Sequence, residues 1–250
     1  MQQLQGKVAL VTGAGSGIGR ADAMVMAARG ATLIVNDRDA AGTQETVDLI
    51  QKAGGRAFAC VADISVSAQV TPAIAHAVQQ AGEVDILVNN AGIASQRLAF
   101  EDIDEATLDR MFAVNIKGAM FCTQAVLPGM KARRRGKIIN TSSIMGLTAQ
   151  KRGSHYAAAK AAVIGLTMAW AREFAPWNIH VNAVAPGRVR TPMVAFMDST
   201  EAYQEEMQRS VPLGRRAEPE EIAAVVAFLA SSDADYITGQ VISPNGGEVI

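Results

Sequence analysis

Tyr156 and Lys160 stand four residues apart in Ser154–Phe174, a stretch whose pattern predicts a helix. On a helix that spacing puts both side chains on one face, within reach of one cleft. A tyrosine with its ordinary pKa near 10 is a poor base at neutral pH. A neighbouring ammonium favours the phenolate and brings the group toward the range where proton transfer is efficient. Such a pair could take a proton from a hydroxyl or return one to a carbonyl oxygen. Tyr and Lys at this spacing also occur on many amphipathic helices without catalytic meaning, so the assignment depends on what surrounds them.

A second cluster lies near the start, in Thr12-Gly13-Ala14-Gly15-Ser16-Gly17-Ile18-Gly19. Glycines permit a tight turn and let backbone N–H groups approach an anion, while the helix that follows points its positive end at the same place. A glycine motif alone is weak; this one follows an apolar run and opens an amphipathic segment, the context of a dinucleotide-binding βαβ unit. The next apolar run ends in Asn36-Asp37-Arg38. A carboxylate there can accept hydrogen bonds from adenosine ribose hydroxyls and would repel a 2′-phosphate, so Asp37 argues for NAD over NADP. Arg38 points the other way, because a guanidinium could meet that phosphate.

The elements that must position these residues alternate along the chain. Apolar runs at Val8–Val11, Thr32–Val35, Ala57–Val61, Ile86–Val88, Lys137–Asn140, His180–Val184 and Gln240–Ile242 read as strands buried on both faces. Between them, Gly17–Arg29, Ala40–Ala53, Ser67–Ala81, Glu105–Arg133, Ser154–Phe174 and Pro219–Ser231 read as helices. The expectation is an α/β fold: residues 1–250 as a single doubly wound Rossmann-type domain, with a seven-stranded, mostly parallel sheet and helices on both faces. Residues 188–217 break the rhythm, with apolar Met193, Val194, Phe196 and Met197 ahead of a charged helical stretch. An excursion this long inside a compact domain is usually functional, and here it is expected to be a substrate lid.

Composition narrows the function classes. A net charge of −1 gives no electrostatic reason to expect nucleic acid or an anionic membrane as partner. The cluster Lys131, Arg133, Arg134, Arg135 and Lys137 falls where a helix should end, a favourable place for cations. Cys60 and Cys122 form neither a metal spacing nor a disulfide framework, and His76, His155 and His180 are scattered, so no metal is expected. The N-terminal residues carry no export signal and no stretch is long enough to span a bilayer, so a cytoplasmic protein is expected.

With the Thr12-Gly13-x-x-x-Gly17-x-Gly19 spacing, then Asn89-Asn90-Ala91-Gly92, then Tyr156-x-x-x-Lys160, the chain resembles the short-chain dehydrogenase/reductase family over essentially its whole length. The resemblance implies further roles. Asp63, with Ile64 beside it, matches an adenine-contacting Asp. Asn89 to Gly92, including Asn90 and Ala91, matches the segment that steadies the sheet and lies along the cofactor. Asn115 and Ser143 match the catalytic Asn and Ser. Pro186, Gly187, Val189 and Thr191 match the stretch that holds the nicotinamide carboxamide. Lys160 is implied to bind the nicotinamide ribose as well, Ser143 to hydrogen-bond the substrate oxygen, and Asn115 to hold a water linking Lys160 to solvent. Asn245 stands where the family often has Asp, a departure expected to affect only the tail.

The resemblance also places the substrate pocket at Ala94, Ser95 and Gln96, at Ile144, Met145 and Gln150, and at Met193, Phe196 and Met197. Most of these are apolar or neutral, which favours a secondary alcohol or ketone with hydrophobic bulk. Arg97, Arg152, Arg188 and Arg190 leave a carboxylate-bearing substrate open. The function implied is NAD-dependent interconversion of a secondary alcohol and a ketone, in a homotetramer. A 3-oxoacyl thioester reductase is the alternative within the family, and a nicotinamide-sensing or scaffold protein without turnover the alternative outside it.

Overall fold

The computed structural model describes residues 3–94, 97–149, 151–192 and 201–250, the side chains of 201–204 apart. Strands β1 (Val8–Thr12), β2 (Thr32–Asp37), β3 (Arg56–Val61), β4 (Ile86–Asn89), β5 (Gly136–Thr141), β6 (Ile179–Val184) and β7 (Val241–Ile242) form one seven-stranded sheet, ordered β3-β2-β1-β4-β5-β6-β7. Every strand pairing in it is parallel. The helices are α1 (Gly17–Ala28), α2 (Ala40–Lys52), α3 (Ser67–Ala81), α4 (Glu105–Phe112), α5 (Gly118–Arg133), α6 (Ile144–Thr148), α7 (Ser154–Phe174), α8 (Glu201–Ser210) and α9 (Pro219–Ala230). The chain winds outward through β1, β2 and β3, then returns to lay β4 against the other side of β1. That reversal opens a crevice at the carboxyl ends of β1 and β4, where open α/β sheets bind ligands.

The apolar strands divide their side chains between two cores with a period of two. Ala9, Val11, Leu33, Val35 and Val88 face one way and pack with Met26 of α1, Val47 of α2 and Val226 of α9. Leu10, Ile34, Leu87 and Ile138 face the other way and pack with Ile74 of α3, Val126 of α5 and Trp170 of α7. Burying each Val, Leu, Ile or Met side chain among them contributes about 1.5–3 kcal/mol. Two faces buried by helices explain why the runs carry no polar alternation.

Four strands run past their apolar residues. β1, β2, β4 and β5 extend to Thr12, Asp37, Asn89 and Thr141, because ladder pairing continues into the polar residues beside the crevice. The stretch expected as one helix from Glu105 to Arg133 is two helices joined by a wide turn over Ala113–Lys117, in which Gly118 N–H reaches back five residues to the Ala113 carbonyl. One inserted residue of this kind leaves the apolar period almost unchanged, so the pattern could not reveal it, and such turns occur frequently at functional sites. The short α6 likewise had no periodic signal.

Asp22 on α1 is 0% exposed, and neither carboxylate oxygen has a hydrogen-bond partner among the described residues. Burial holds its carboxyl well above the usual carboxylate range. The unfolded chain therefore releases this proton first, and folding stability falls as pH rises above about 4. We expect Asp22→Asn to melt higher than wild type by a margin that is several °C larger at pH 8 than at pH 5. A margin independent of pH, measured by thermal unfolding, would contradict this account of Asp22.

Candidate active site

The crevice holds a cleft of about 300 Å³. One end is the glycine turn. Gly13 and Gly17 adopt φ of 65° and 55°, which side chains rarely tolerate. A methyl on Gly13 would come 2.7 Å from Ala91 Cα, and one on Gly19 would strike the Gly13 carbonyl and come 2.5 Å from Asn90 Nδ2. These glycines let the turn close against the Asn90–Ala91 segment. The Thr12 hydroxyl holds the same junction, accepting from Asn90 N at 3.1 Å and Ala91 N at 3.0 Å and donating to the Val88 carbonyl at 3.3 Å. Ser16, the N-cap of α1, makes no side-chain cap hydrogen bond, so the first-turn amides of the helix have no side-chain acceptor there. Such a terminus suits a phosphate.

Asp37 sits at the end of β2 with both oxygens oriented by backbone: Oδ2 accepts from Gly15 N at 3.1 Å and Oδ1 from Asp39 N at 3.1 Å. A methyl on Gly15 would come 3.0 Å from Asp37 Oδ2, so Gly15 makes room for this carboxylate. Arg38 lines the same end of the cleft beside Asp63 and Ile64. Asp63 accepts from Ser65 Oγ at 2.6 Å and Ser65 N at 2.9 Å, and the Ser65 hydroxyl bond leads in holding its carboxyl below the usual range.

At the other end Tyr156, Lys160 and Ser143 meet. Ser143 caps α6, its Oγ accepting from Met145 N at 3.2 Å. Burial raises the Tyr156 phenol above its ordinary value, and a hydrogen bond with Ser143 pulls it partly back. This corrects the expectation that the ammonium governs the phenol. Lys160 Nζ lies 5.8 Å from the centre of the Tyr156 ring and donates to the Thr141 carbonyl at 2.9 Å. Only 5% of Lys160 is exposed, and burial lowers its ammonium pKa to about 8. Burial thus moves the two groups apart, the phenol upward and the ammonium downward, because in each it disfavours the charged form.

Asn115 sits in the wide turn behind this pair. Its Nδ2 donates to the carbonyls of Met111 and Ile93, both at 3.1 Å, while its Oδ1 is buried without a hydrogen-bond partner among the described residues. A methyl on Gly92 would come 2.7 Å from that Oδ1 and 3.2 Å from Lys160 Nζ, so the glycine leaves a small polar space between them. Further back, Asn89 Nδ2 donates to Thr123 Oγ1 at 3.1 Å and Asn140 Oδ1 at 2.9 Å, and Asn140 Nδ2 donates to Thr167 Oγ1 at 2.9 Å. This buried chain ties α5, β4, β5 and α7 together beneath the site.

Of the residues singled out in the sequence, Gly13, Ser16, Gly17, Ile18, Asp37, Asp63, Ile64, Asn90, Ala91, Gly92, Ser143, Tyr156, Lys160, Pro186, Gly187, Val189 and Thr191 line the cleft. Gly15, Gly19 and Asn115 stand behind its surface and act through neighbours. Ala94 is exposed and Met145 half-buried, and neither lines the cleft. Ser95, Gln96, Gln150, Met193, Phe196 and Met197 lie outside the described residues. Sequence reasoning missed Thr12 as a brace and the Thr141 carbonyl as the acceptor for Lys160. A threonine directly before the glycines is a signal that could have been used; a backbone carbonyl leaves none. No group of metal-ligating side chains occurs among the described residues, and no helix there is long and apolar enough to cross a membrane.

An open helix N-terminus, glycines packed to backbone contact, carboxylates at one end and a buried Lys160 beside half-buried Tyr156 at the other fit a dinucleotide laid along the crevice. The comparisons with known proteins agree. The family model described as Enoyl-(Acyl carrier protein) reductase matches residues 13–248. A 3-oxoacyl-[acyl-carrier-protein] reductase of Thermotoga maritima is 42% identical over 248 residues, covering 99% of this chain and 100% of that protein. A gluconate 5-dehydrogenase from Burkholderia cenocepacia, solved in complex with NADP and tartrate, superposes with a TM-score of 0.94 at 33% identity, covering 99% of this chain and 96% of that one. A 3-oxoacyl-[acyl-carrier protein] reductase with bound NAD from Brucella melitensis gives 0.91 at 34% identity, covering 98% of this chain and 92% of that one. Glycine turn, Tyr–Lys pair, sheet order and whole-length similarity lead to one conclusion: the chain belongs to the short-chain dehydrogenase/reductase family, the nicotinamide-dependent oxidoreductases of CH–OH and keto groups.

Proposed function

We propose that the protein is an NAD-dependent dehydrogenase that interconverts a secondary alcohol and a ketone, with Tyr156 as general acid and base. The observation that carries this reading is the convergence of Tyr156, Ser143 and buried Lys160 on the cleft that the open N-terminus of α1 enters. The nicotinamide, when bound, supplies or accepts the hydride. The protein's part is the proton. In alcohol oxidation the Tyr156 phenolate takes the hydroxyl proton, and in ketone reduction the phenol returns it. The Ser143 hydroxyl, which lines the cleft together with Tyr156, steadies charge on the substrate oxygen. The Lys160 ammonium stabilises the phenolate, and Asn115 Oδ1 and Gly92 leave room for a water that passes the proton on toward solvent.

Support for NAD comes from Asp37, whose oriented carboxylate suits the ribose hydroxyls and would repel a 2′-phosphate. Arg38 on the same wall favours NADP and keeps it as the second reading. Ile93, Pro186 and Val189 on the cleft favour a substrate with hydrophobic bulk. The Thermotoga relative favours a 3-oxoacyl thioester instead. Assembly as a homotetramer belongs to the same reading, and exposed Met168 on α7 is consistent with helix pairing between subunits. A reducing cytoplasmic setting suits Cys60 and Cys122, buried free thiols that burial pushes up to about 11 and about 12.

Tyr156→Phe is expected to abolish turnover of secondary alcohols and ketones, read by NADH absorbance, while still binding the dinucleotide. In the wild type, oxidation needs the phenolate and should speed up as pH rises on the alkaline side, and reduction should slow down. Turnover that survives the substitution would defeat the assignment, and a wild type that binds dinucleotide without ever turning over would identify a sensor. Gly92→Ala, which crowds Asn115 Oδ1 and Lys160 Nζ, should lower kcat by about tenfold or more with the fold intact by circular dichroism; an unchanged kcat would mean that the space between those groups is not used. Asp37→Ala should raise the kcat/KM ratio of NADPH to NADH, and an unaltered ratio would remove the ribose role from Asp37.

A further inference from the structure

Arg188 lies one residue before Val189 in the segment after β6 that forms one wall of the cleft. The segment is extended where Val189 bridges Ala217: Arg190 N donates to the Ala217 carbonyl and Ala217 N to the Arg188 carbonyl, both at 2.9 Å. Extended backbone alternates its side chains between two faces. Val189 and Thr191 face the cleft, and a methyl on Gly17 would lie 3.5 Å from Thr191 Cγ2 across it. Arg188 and Arg190 face the rear.

There Arg188 joins three segments distant in sequence. Its Nε donates to Glu248 Oε1 in the C-terminal tail and its Nη2 to Glu206 Oε1 on α8, each at 3.0 Å. The Arg188 and Glu248 side chains are 13% and 11% exposed, while that of Glu206 is 45% exposed. The planar guanidinium, with five donors in a fixed fork, can bind two carboxylates at once in a set geometry. The tail is itself seated on this wall: Gly187 N donates to the Pro244 carbonyl at 3.2 Å, and a methyl on Gly187 would come 2.9 Å from Asn245 Cα. Asn245 shapes the tail in turn, its Nδ2 donating to the Val249 carbonyl and its Oδ1 accepting from Gly247 N, both at 2.8 Å. Arg190, by contrast, pairs with Glu218 where the two side chains are 66% and 50% exposed, an arrangement that contributes little.

We infer, resting on the dinucleotide reading above, that Arg188 is a positioning residue: by clamping Glu206 of α8 and Glu248 of the tail behind the wall, it holds in place Val189 and Thr191, which the family resemblance assigns to the nicotinamide. It touches neither substrate nor cofactor and acts through those neighbours. Removing it leaves two partly buried carboxylates without their shared cation, so the wall loosens at one end of the cleft and the adenosine end is untouched.

The test compares binding of the reduced dinucleotide that wild type holds more tightly with binding of the matching fragment lacking nicotinamide, ADP-ribose or its 2′-phosphate. Arg188→Met should weaken the dinucleotide by about tenfold and leave the fragment within about twofold of wild type. Arg188→Lys should fall between, because an ammonium is a single point charge and cannot span both carboxylates. Arg190→Met should change neither. Equal weakening of dinucleotide and fragment, or no weakening of either, overturns the proposal. Where Arg188→Met does not fold, Glu206→Gln and Glu248→Gln each leave one ion pair in place; at least one must weaken the dinucleotide more than the fragment, and failure of both to do so overturns it equally.

Discussion

Lys160 carries a full charge and three donors into a place where it is 5% exposed, and taking an ammonium out of water is costly unless acceptors meet it. The Thr141 carbonyl, at the polar end of β5, meets it at 2.9 Å, and burial still lowers the ammonium pKa to about 8. Much of the surrounding architecture follows from keeping that group buried, oriented and facing the cleft. α7 must lie against the end of β5, and it does so by close backbone packing: a methyl on Gly146 of α6 would come 2.7 Å from the Lys160 carbonyl carbon, and Ser142 Oγ donates to the Lys160 carbonyl at 2.8 Å. The lysine is held at both its side chain and its backbone.

The buried chain from Thr123 through Asn89 and Asn140 to Thr167 serves the same end. Its amide nitrogens all find acceptors, although Asn89 Oδ1 has no hydrogen-bond partner among the described residues, and a linked network of this kind admits few alternative arrangements. Here it sets the ends of β4 and β5 against α5 and α7. The wide turn between α4 and α5 does comparable work for Asn115: its amide takes the Met111 carbonyl, and its oxygen turns toward Gly92 and Lys160.

Not every buried titratable group is placed so well. Asp22 lies in the packing of α1 without a hydrogen-bond partner among the described residues, and no feature of the site explains it. The Arg188 cluster is the opposite case, with one guanidinium answering two carboxylates on the rear of a cleft wall. Both lie outside the catalytic group and show how unevenly charge is compensated around one cleft.

The sequence by itself determined the order and type of the elements, because burial on both faces of a parallel sheet demands apolar runs and the helices between them demand their own period. It also identified Tyr156, Lys160, the glycine turn and Asp37, since each depends on residue type at short spacing. Asn115, Ser143 and Asp63 came from resemblance, as nothing local distinguishes them. Tertiary structure alone decided the rest. The wide turn at Ala113–Lys117 adds one residue without disturbing the period; the acceptor for Lys160 is a carbonyl, which every residue has; and the clamp at Arg188 joins positions 206 and 248, which only the fold brings together. The Tyr156 acidity was decided there too: spacing placed a cation nearby, but burial raises the phenol and Ser143, not the cation, draws it partly back, and burial depends on what the whole chain packs around the phenol.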